Sequence, residues 1–151
     1  MCGTLTGNTN KPVNTVTLED FFREKARLYS AGNVAGSVRN VQVPMVAHVA
    51  GSTFAANRLD DVILALEIYR NNLLVESYVR TEITEFHETA AVDGKVQAFV
   101  RYRNVNDKGG EISSFDATFI CRQTNGNGWV ICEAESIPPV KERFLAGIAL
   151  A

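Results

Sequence analysis

Beyond Tyr78 the sequence changes period. Apolar residues that had recurred at helical spacing begin to alternate with polar ones, and turn signals return about every dozen residues. Four strands are predicted near Glu82–Val92, Lys95–Val105, Glu111–Gln123 and Trp129–Ile137. They are joined at Asp93-Gly94, at Asn106-Asp107-Lys108-Gly109-Gly110 and at Asn125-Gly126-Asn127-Gly128. Asp-Gly between alternating strands is the strongest short-range hairpin signal, because both central residues need positive φ. Consecutive hairpins make an antiparallel meander, and such a sheet needs cover on one face.

The residues before Tyr78 supply that cover. Leu18, Phe21, Phe22, Leu28 and Tyr29 recur at helical spacing from Leu18 to about Ala31, with Thr17 and Asp20 as a capping pair and Gly32 as a left-handed stop. A short second helix is read at Asn33 to Asn40, capped by Asn33 and turning Val34 and Val38 inward. Pro44 opens a short strand, Met45 to Val49, that carries His48 and ends at Gly51-Ser52. The clearest helix runs from Leu59 to Ser77, with Val62, Leu66, Tyr69 and Leu73 on one stripe. Asn57 is its expected cap, and Asp60 and Asp61 suit the positive end of its dipole. Pro138-Pro139 stops the last strand, and Val140 to Ala151 reads as a short tail helix. Its Phe144, Leu145 and Ile148 need cover from the parent sheet or from a partner subunit.

A chain of 151 residues, 46% hydrophobic and 21% charged, suits one water-soluble domain with a single core. The expected division is a flexible segment at 1–14, the domain at 15–137 and the tail at 138–151. A net charge of −2 leaves no cationic excess for phosphates or headgroups, so neither nucleic acid nor a membrane is an expected partner. No apolar run reaches the roughly 20 residues that cross a bilayer. The Thr-, Asn- and Gly-rich start has no basic region followed by an apolar one, so it is not a signal peptide, and a cytoplasmic location is the default. Cys2, Cys121 and Cys132 show no metal spacing, and Cys121 and Cys132 read as small strand residues rather than a bridge. His48 and His87 offer no zinc motif, so no metal is expected. Phosphate-binding loops and the Gly-x-Ser-x-Gly elbow are absent as well, and no cofactor is implied.

Helices, a short strand, a long helix and then a four-stranded meander form an unusual order. In it, and in Ala31-Gly32-Asn33, Pro44, Phe115-Asp116-Ala117-Thr118-Phe119, Arg122 and Gly128-Trp129-Val130-Ile131, the chain resembles the nuclear transport factor 2-like (cystatin-like cone) superfamily and its SnoaL-like group. The resemblance covers Leu18 to about Ile137. It implies an α+β cone in which N-terminal helices pack on a strongly curved antiparallel sheet, the meander plus the short N-terminal strand, enclosing an apolar pocket. It also implies a homodimer formed through the outer face of the sheet. Ketosteroid isomerases and polyketide cyclases of this superfamily use carboxylates buried in that pocket, where an apolar surround raises the carboxyl pKa. Carried over by position, the isomerase tyrosine falls on Lys25, the base aspartate on Val43 and the second acid on Phe119. All three groups are absent, so ketosteroid isomerase activity is not expected.

Other residues are candidates for chemistry. By strand parity Trp129, Ile131, Glu133 and Glu135 share one face, which would set an acid–base pair on the pocket wall unless a bulge near Pro138 turns the glutamates outward. His48 would serve as general base if it faces the pocket, whereas a lone strand histidine is more often structural. His87, between Glu85 and Glu88, reads as a solvated edge. Asp116 is expected on the outer face, paired with Arg101 or Arg103. Tyr29 and Tyr69 are core residues that also offer hydroxyls to a ligand, with Phe119 and Trp129 as apolar wall. The expected ligand is a small apolar or amphipathic molecule. Two functions follow: cofactor-independent acid–base catalysis of an isomerase, cyclase or dehydratase type, or a non-catalytic module for ligand binding or protein association.

Overall fold

Each hairpin signal becomes a turn in the computed structural model, which describes residues 16–49, 52–126 and 128–137. Asp93 and Gly94 take φ of 54° and 76°, the two positive values that a tight hairpin with right-handed strand twist requires. In the next turn Gly109 has φ of 80°, while the Asn106 side-chain oxygen accepts from the Lys108 and Gly110 amides.

The elements in chain order are α1 (Leu18–Ser30), α2 (Val34–Ser37), β1 (Val41–Val49), β2 (Ser52–Ala56), α3 (Leu59–Leu74), β3 (Tyr78–Glu88), β4 (Lys95–Asn106), β5 (Glu111–Gln123) and β6 (Trp129–Ile137). Thr17 caps α1 by accepting from the Asp20 amide at 3.1 Å. Gly32, at φ of 91°, ends that helix. The last α1 carbonyls are not left bare, because Arg70 of α3 donates to Tyr29 O and Ser30 O, each at 2.9 Å. Asn33 caps α2 through the Gly36 amide, and Val34 and Val38 are buried.

The strands form a single six-stranded sheet in the order β2-β1-β6-β5-β4-β3. All neighbours run antiparallel except β1 and β6, whose parallel pairing joins the N-terminal hairpin to the meander. The sheet is therefore mixed, with one strand more than expected. Where the sequence reading had a turn at Gly51-Ser52, Ser52–Ala56 returns as a strand, and β1 begins four residues before Met45. Pro44 stands inside β1 rather than at its start, in the stretch between Val41 and Val46 where the register with β6 slips; its peptide bond with Val43 is cis. A residue without an N–H fits a strand where the ladder is already interrupted.

Further bounds differ from expectation, among them the second helix, which ends at Ser37 rather than Asn40. The helix α3 ends at Leu74, and Ser77, at φ of 61°, turns the chain so that β3 starts at Tyr78 rather than Glu82. Arg58, not Asn57, occupies the α3 cap position, and it makes no side-chain capping bond. The isolated bridge Val92–Lys95 lies beyond β3, which stops at Glu88. The expected segment 1–14 with Cys2, the tail 138–151 with Phe144, Leu145 and Ile148, and the turn residues Gly51 and Asn127 lie outside the described residues.

Two apolar clusters hold the helices on the sheet. Leu18 and Phe22 of α1 pack with Val96, Ala98, Val100, Cys121, Trp129 and Ile131, while Tyr69 and Leu73 of α3 pack with Tyr78. Phe22 and Ile131 of the first cluster and Tyr69 of the second border a hollow between the helices and the sheet.

Candidate functional site

The hollow has a volume of about 380 Å³, within the range of sites that take small molecules. Helical periodicity builds one side of it. Phe22, Lys25, Ala26 and Tyr29 follow the i, i+3, i+4, i+7 spacing of one α1 face, and Val62, Ala65, Leu66 and Tyr69 form the matching stripe of α3. Strand alternation builds the other side, with Met45 and Ala47 from β1, Tyr102 and Asn104 from β4, Phe115, Ala117 and Phe119 from β5, and Ile131 and Ala134 from β6. Most of this wall is hydrocarbon.

The polar groups of the wall are mostly committed to one another. Asn104, fully buried, donates to the Tyr69 hydroxyl and to Ser113 Oγ, each at 3.0 Å, and accepts from Thr81 Oγ1 at 2.8 Å. Since the Thr81 proton points to Asn104, the Tyr78 hydroxyl is the donor in its 2.6 Å bond to Thr81. Tyr29 donates to the Leu66 carbonyl at 3.3 Å. Burial pushes the Tyr29 and Tyr102 hydroxyls up in pKa, so both stay protonated and act as hydrogen-bond groups rather than bases. The Cys121 thiol is pushed up to about 12, chiefly by burial, and so is no nucleophile at neutral pH.

The candidate residues from sequence occupy different places. Tyr29, Tyr69 and Phe119 stand on the cavity wall, with Phe119 packed 4.7 Å from Phe22. Trp129 does not. It belongs to the α1 cluster and its indole N–H donates to Val16 O at 2.8 Å, pinning the start of the helix. The strand-parity expectation for β6 also needs correction. Ile120 of β5 pairs with Glu133 and Cys121 with Ile131, so Cys132 is an extra residue, a bulge that reverses which side chains face inward. Glu133 thereby leaves the face of Trp129 and Ile131. The bulge sits at Cys132, well before Pro138.

On the outer face Glu133 meets His48, with Nε2 and Oε2 3.4 Å apart, while His48 Nδ1 lies 3.1 Å from Thr53 Oγ1. Neither His48 nor Glu133 borders the cavity. Register sets Glu135 beside His48 and Thr118, and this exposed residue also borders the cavity, as an edge rather than a wall. Asp116 pairs with Arg101 at 2.8 and 3.1 Å, and His87 is an exposed partner of Glu85 on the edge strand β3. Among the described residues no three His, Cys, Asp or Glu side chains gather as a metal site would need.

Lys25 is the wall residue whose role the sequence reading missed. The signal was present, since a cationic side chain three residues after Phe22 and four before Tyr29 lies within an apolar helical stripe. Its Nζ donates to Ser37 O at 2.6 Å, and desolvation, helped by the charge of Arg39, lowers its pKa to about 8. The folded state thus holds its proton less firmly than the unfolded chain does. Lys25→Met is expected to raise stability at pH 7 by roughly 1–3 kcal/mol, at 1.36 kcal/mol per pKa unit reduced for partial exposure. Between pH 8 and about 10.5 the folded amine is already neutral while the unfolded one still binds its proton, so wild-type stability rises relative to the variant and the gap closes. Urea unfolding of both proteins across that range measures the gap, and a gap that does not change with pH contradicts the expectation.

No protein-family model matches the sequence, and no curated protein matches it by sequence. Solved structures do match. ActVI-ORFA from Streptomyces coelicolor is 10% identical, with a TM-score of 0.64 over 82% of this chain and 93% of that one. A nuclear transport factor 2-like protein with a cystatin-like fold from Novosphingobium aromaticivorans is 12% identical, with a TM-score of 0.63 over 85% of this chain and 84% of that one. A putative calcium/calmodulin dependent protein kinase II association domain from Xanthomonas campestris is 13% identical, with a TM-score of 0.54 over 82% of this chain and 86% of that one. With helices laid on a curved mixed sheet and more than four fifths of its length matched to such proteins, this chain has the nuclear transport factor 2-like, cystatin-like cone fold.

Proposed function

We propose that this chain binds a small, mostly apolar molecule in the hollow between its helices and the concave face of its sheet. The supporting observation is the cavity itself. A space of about 380 Å³ with a largely hydrocarbon wall is costly to leave unfilled, since its lining forgoes dispersion contacts on one side. An apolar guest restores those contacts and leaves water. Ligand hydrogen bonds come from Lys25 and from tyrosine hydroxyls, with Tyr29 and Tyr69 on the helical side. In the catalytic form of this reading, Glu135 and Lys25 exchange protons with the bound molecule, and His48 and Glu133, paired on the outer face, take no part. In its non-catalytic form the same cavity only stores or presents its guest.

The subunit pairs with a second copy through the outer face of the sheet, where the partly buried side chains of Phe99, Thr118 and Ile120 lie away from the helices. Sedimentation at micromolar concentration is expected to give the mass of a dimer, and a monomer at all concentrations would remove this part.

The cavity reading is tested by calorimetric titration of the full chain with neutral apolar amides and by filling the hollow from within. Wild type is expected to bind with one saturable site, and Ala65→Phe, which projects a ring from a buried cavity position of α3, to weaken binding at least tenfold while remaining folded. Absence of saturable binding by any apolar probe, neutral or charged, or equal binding by the filled variant, sinks the reading.

A further inference from the structure

One cation stands in this apolar space without a counter-charge among the described residues. Helix geometry places Lys25 between Phe22 and Tyr29 on the cavity face of α1, among side chains that cannot neutralise it. Its ammonium spends one donor on Ser37 O and lies 4.9 Å from the Phe21 ring centroid. Asp61 and Glu135 also border the cavity, yet among the described residues no carboxylate comes within ion-pair distance of Lys25. Arg39 adds a second positive charge that acts on the same ammonium. The Tyr102 ring, fixed by stacking on Phe115 at 5.0 Å, borders the cavity too, and its hydroxyl has no hydrogen-bond partner among the described residues.

We propose that the molecule held in this cavity carries a carboxylate head, ion-paired by Lys25 and hydrogen-bonded by Tyr102, with its apolar body filling the remaining space. The inference rests on the binding reading above and adds the charge of the ligand. A desolvated ammonium is unfavourable until an opposite charge joins it, and a carboxylate accepts from an ammonium and a phenol at once. A neutral ligand would leave the cation uncompensated. A cationic ligand would add repulsion from both Lys25 and Arg39.

Octanoate and octanamide separate the charge from the apolar body, since they share a chain and differ in the head. Calorimetric titration of the full chain near neutral pH is expected to show octanoate bound at least tenfold more tightly than octanamide. In Lys25→Met that preference is expected to vanish, with octanoate losing at least tenfold more affinity than octanamide, and Lys25→Arg is expected to keep it. Tyr102→Phe is expected to weaken octanoate several-fold and octanamide less. Equal affinity of the two probes for wild type, or a preference that survives in Lys25→Met, overturns the carboxylate inference and leaves the binding site standing. Failure of both probes to bind overturns both.

Discussion

Phe22→Ala is expected to lower the free energy of unfolding by about 3–5 kcal/mol. Phe22 is 1% exposed and is the meeting point of the α1 cluster, with ring centroids of Phe119 at 4.7 Å, Phe21 at 5.3 Å and Phe86 at 6.0 Å. Truncation removes the ring's transfer free energy and also leaves a void, because the curved strands behind Phe119 and Phe86 are tied by ladder hydrogen bonds and cannot collapse inward. The cost is expected toward the lower end of that range, since one side of Phe22 already faces the cavity and has fewer contacts to lose. Thermal unfolding should fall by about 10 °C for a chain of this size. Phe22→Leu keeps most of the volume and is expected to cost roughly 1–2 kcal/mol. A loss below 1 kcal/mol for the alanine variant in urea unfolding would mean that α1 is not anchored on the sheet through this residue.

Asn104→Leu, which keeps the branching and the number of side-chain heavy atoms, is expected to cost about 3–4 kcal/mol for a different reason. The Asn104 side chain is fully buried and works in both directions, as donor to Tyr69 and Ser113 and acceptor from Thr81. Leucine fills the space but strips hydrogen bonds from three hydroxyls at once. Each buried polar group deprived of a partner loses about 1–3 kcal/mol, and rotation of the hydroxyls recovers part of the sum. Tyr69→Phe deprives Asn104 of one acceptor and is expected to cost about 1 kcal/mol. Because the residues share a network, the double variant should cost less than the sum of the two single ones by at least 0.5 kcal/mol on the scale of such couplings. Additive losses in a double-mutant cycle would show that Asn104 and Tyr69 act independently. Since both border the cavity, the same variants change its polarity without touching Lys25.

Both predictions depend on facts of unequal visibility. The place of Phe22 in the core is readable from helical spacing alone. The commitment of Asn104 is not, because a polar residue in an alternating strand gives no sign of whether partners await it on a helix, on the next strand and on the preceding one. Tyr69, Ser113 and Thr81 come from three separate elements, and only folding brings them together.

What the sequence by itself determined are the features set within one or two turns of chain. These are the Thr17 and Asn33 caps, the left-handed Gly32, the Asp93-Gly94 turn, the inner stripes of α1 and α3, and the parity that sends Asp116 outward to Arg101. Each depends on local φ, on a period of 3.6 or on a period of 2, and their order sufficed to suggest the cone. Tertiary structure decided the parallel pairing of β1 with β6, the return strand Ser52–Ala56 and the bulge at Cys132. It also decided that Glu133 meets His48 outside the cavity while Lys25 stands within it. The physical reason is that a one-residue slip in register leaves composition and periodicity unchanged on either side, yet exchanges the inner and outer faces of every residue that follows.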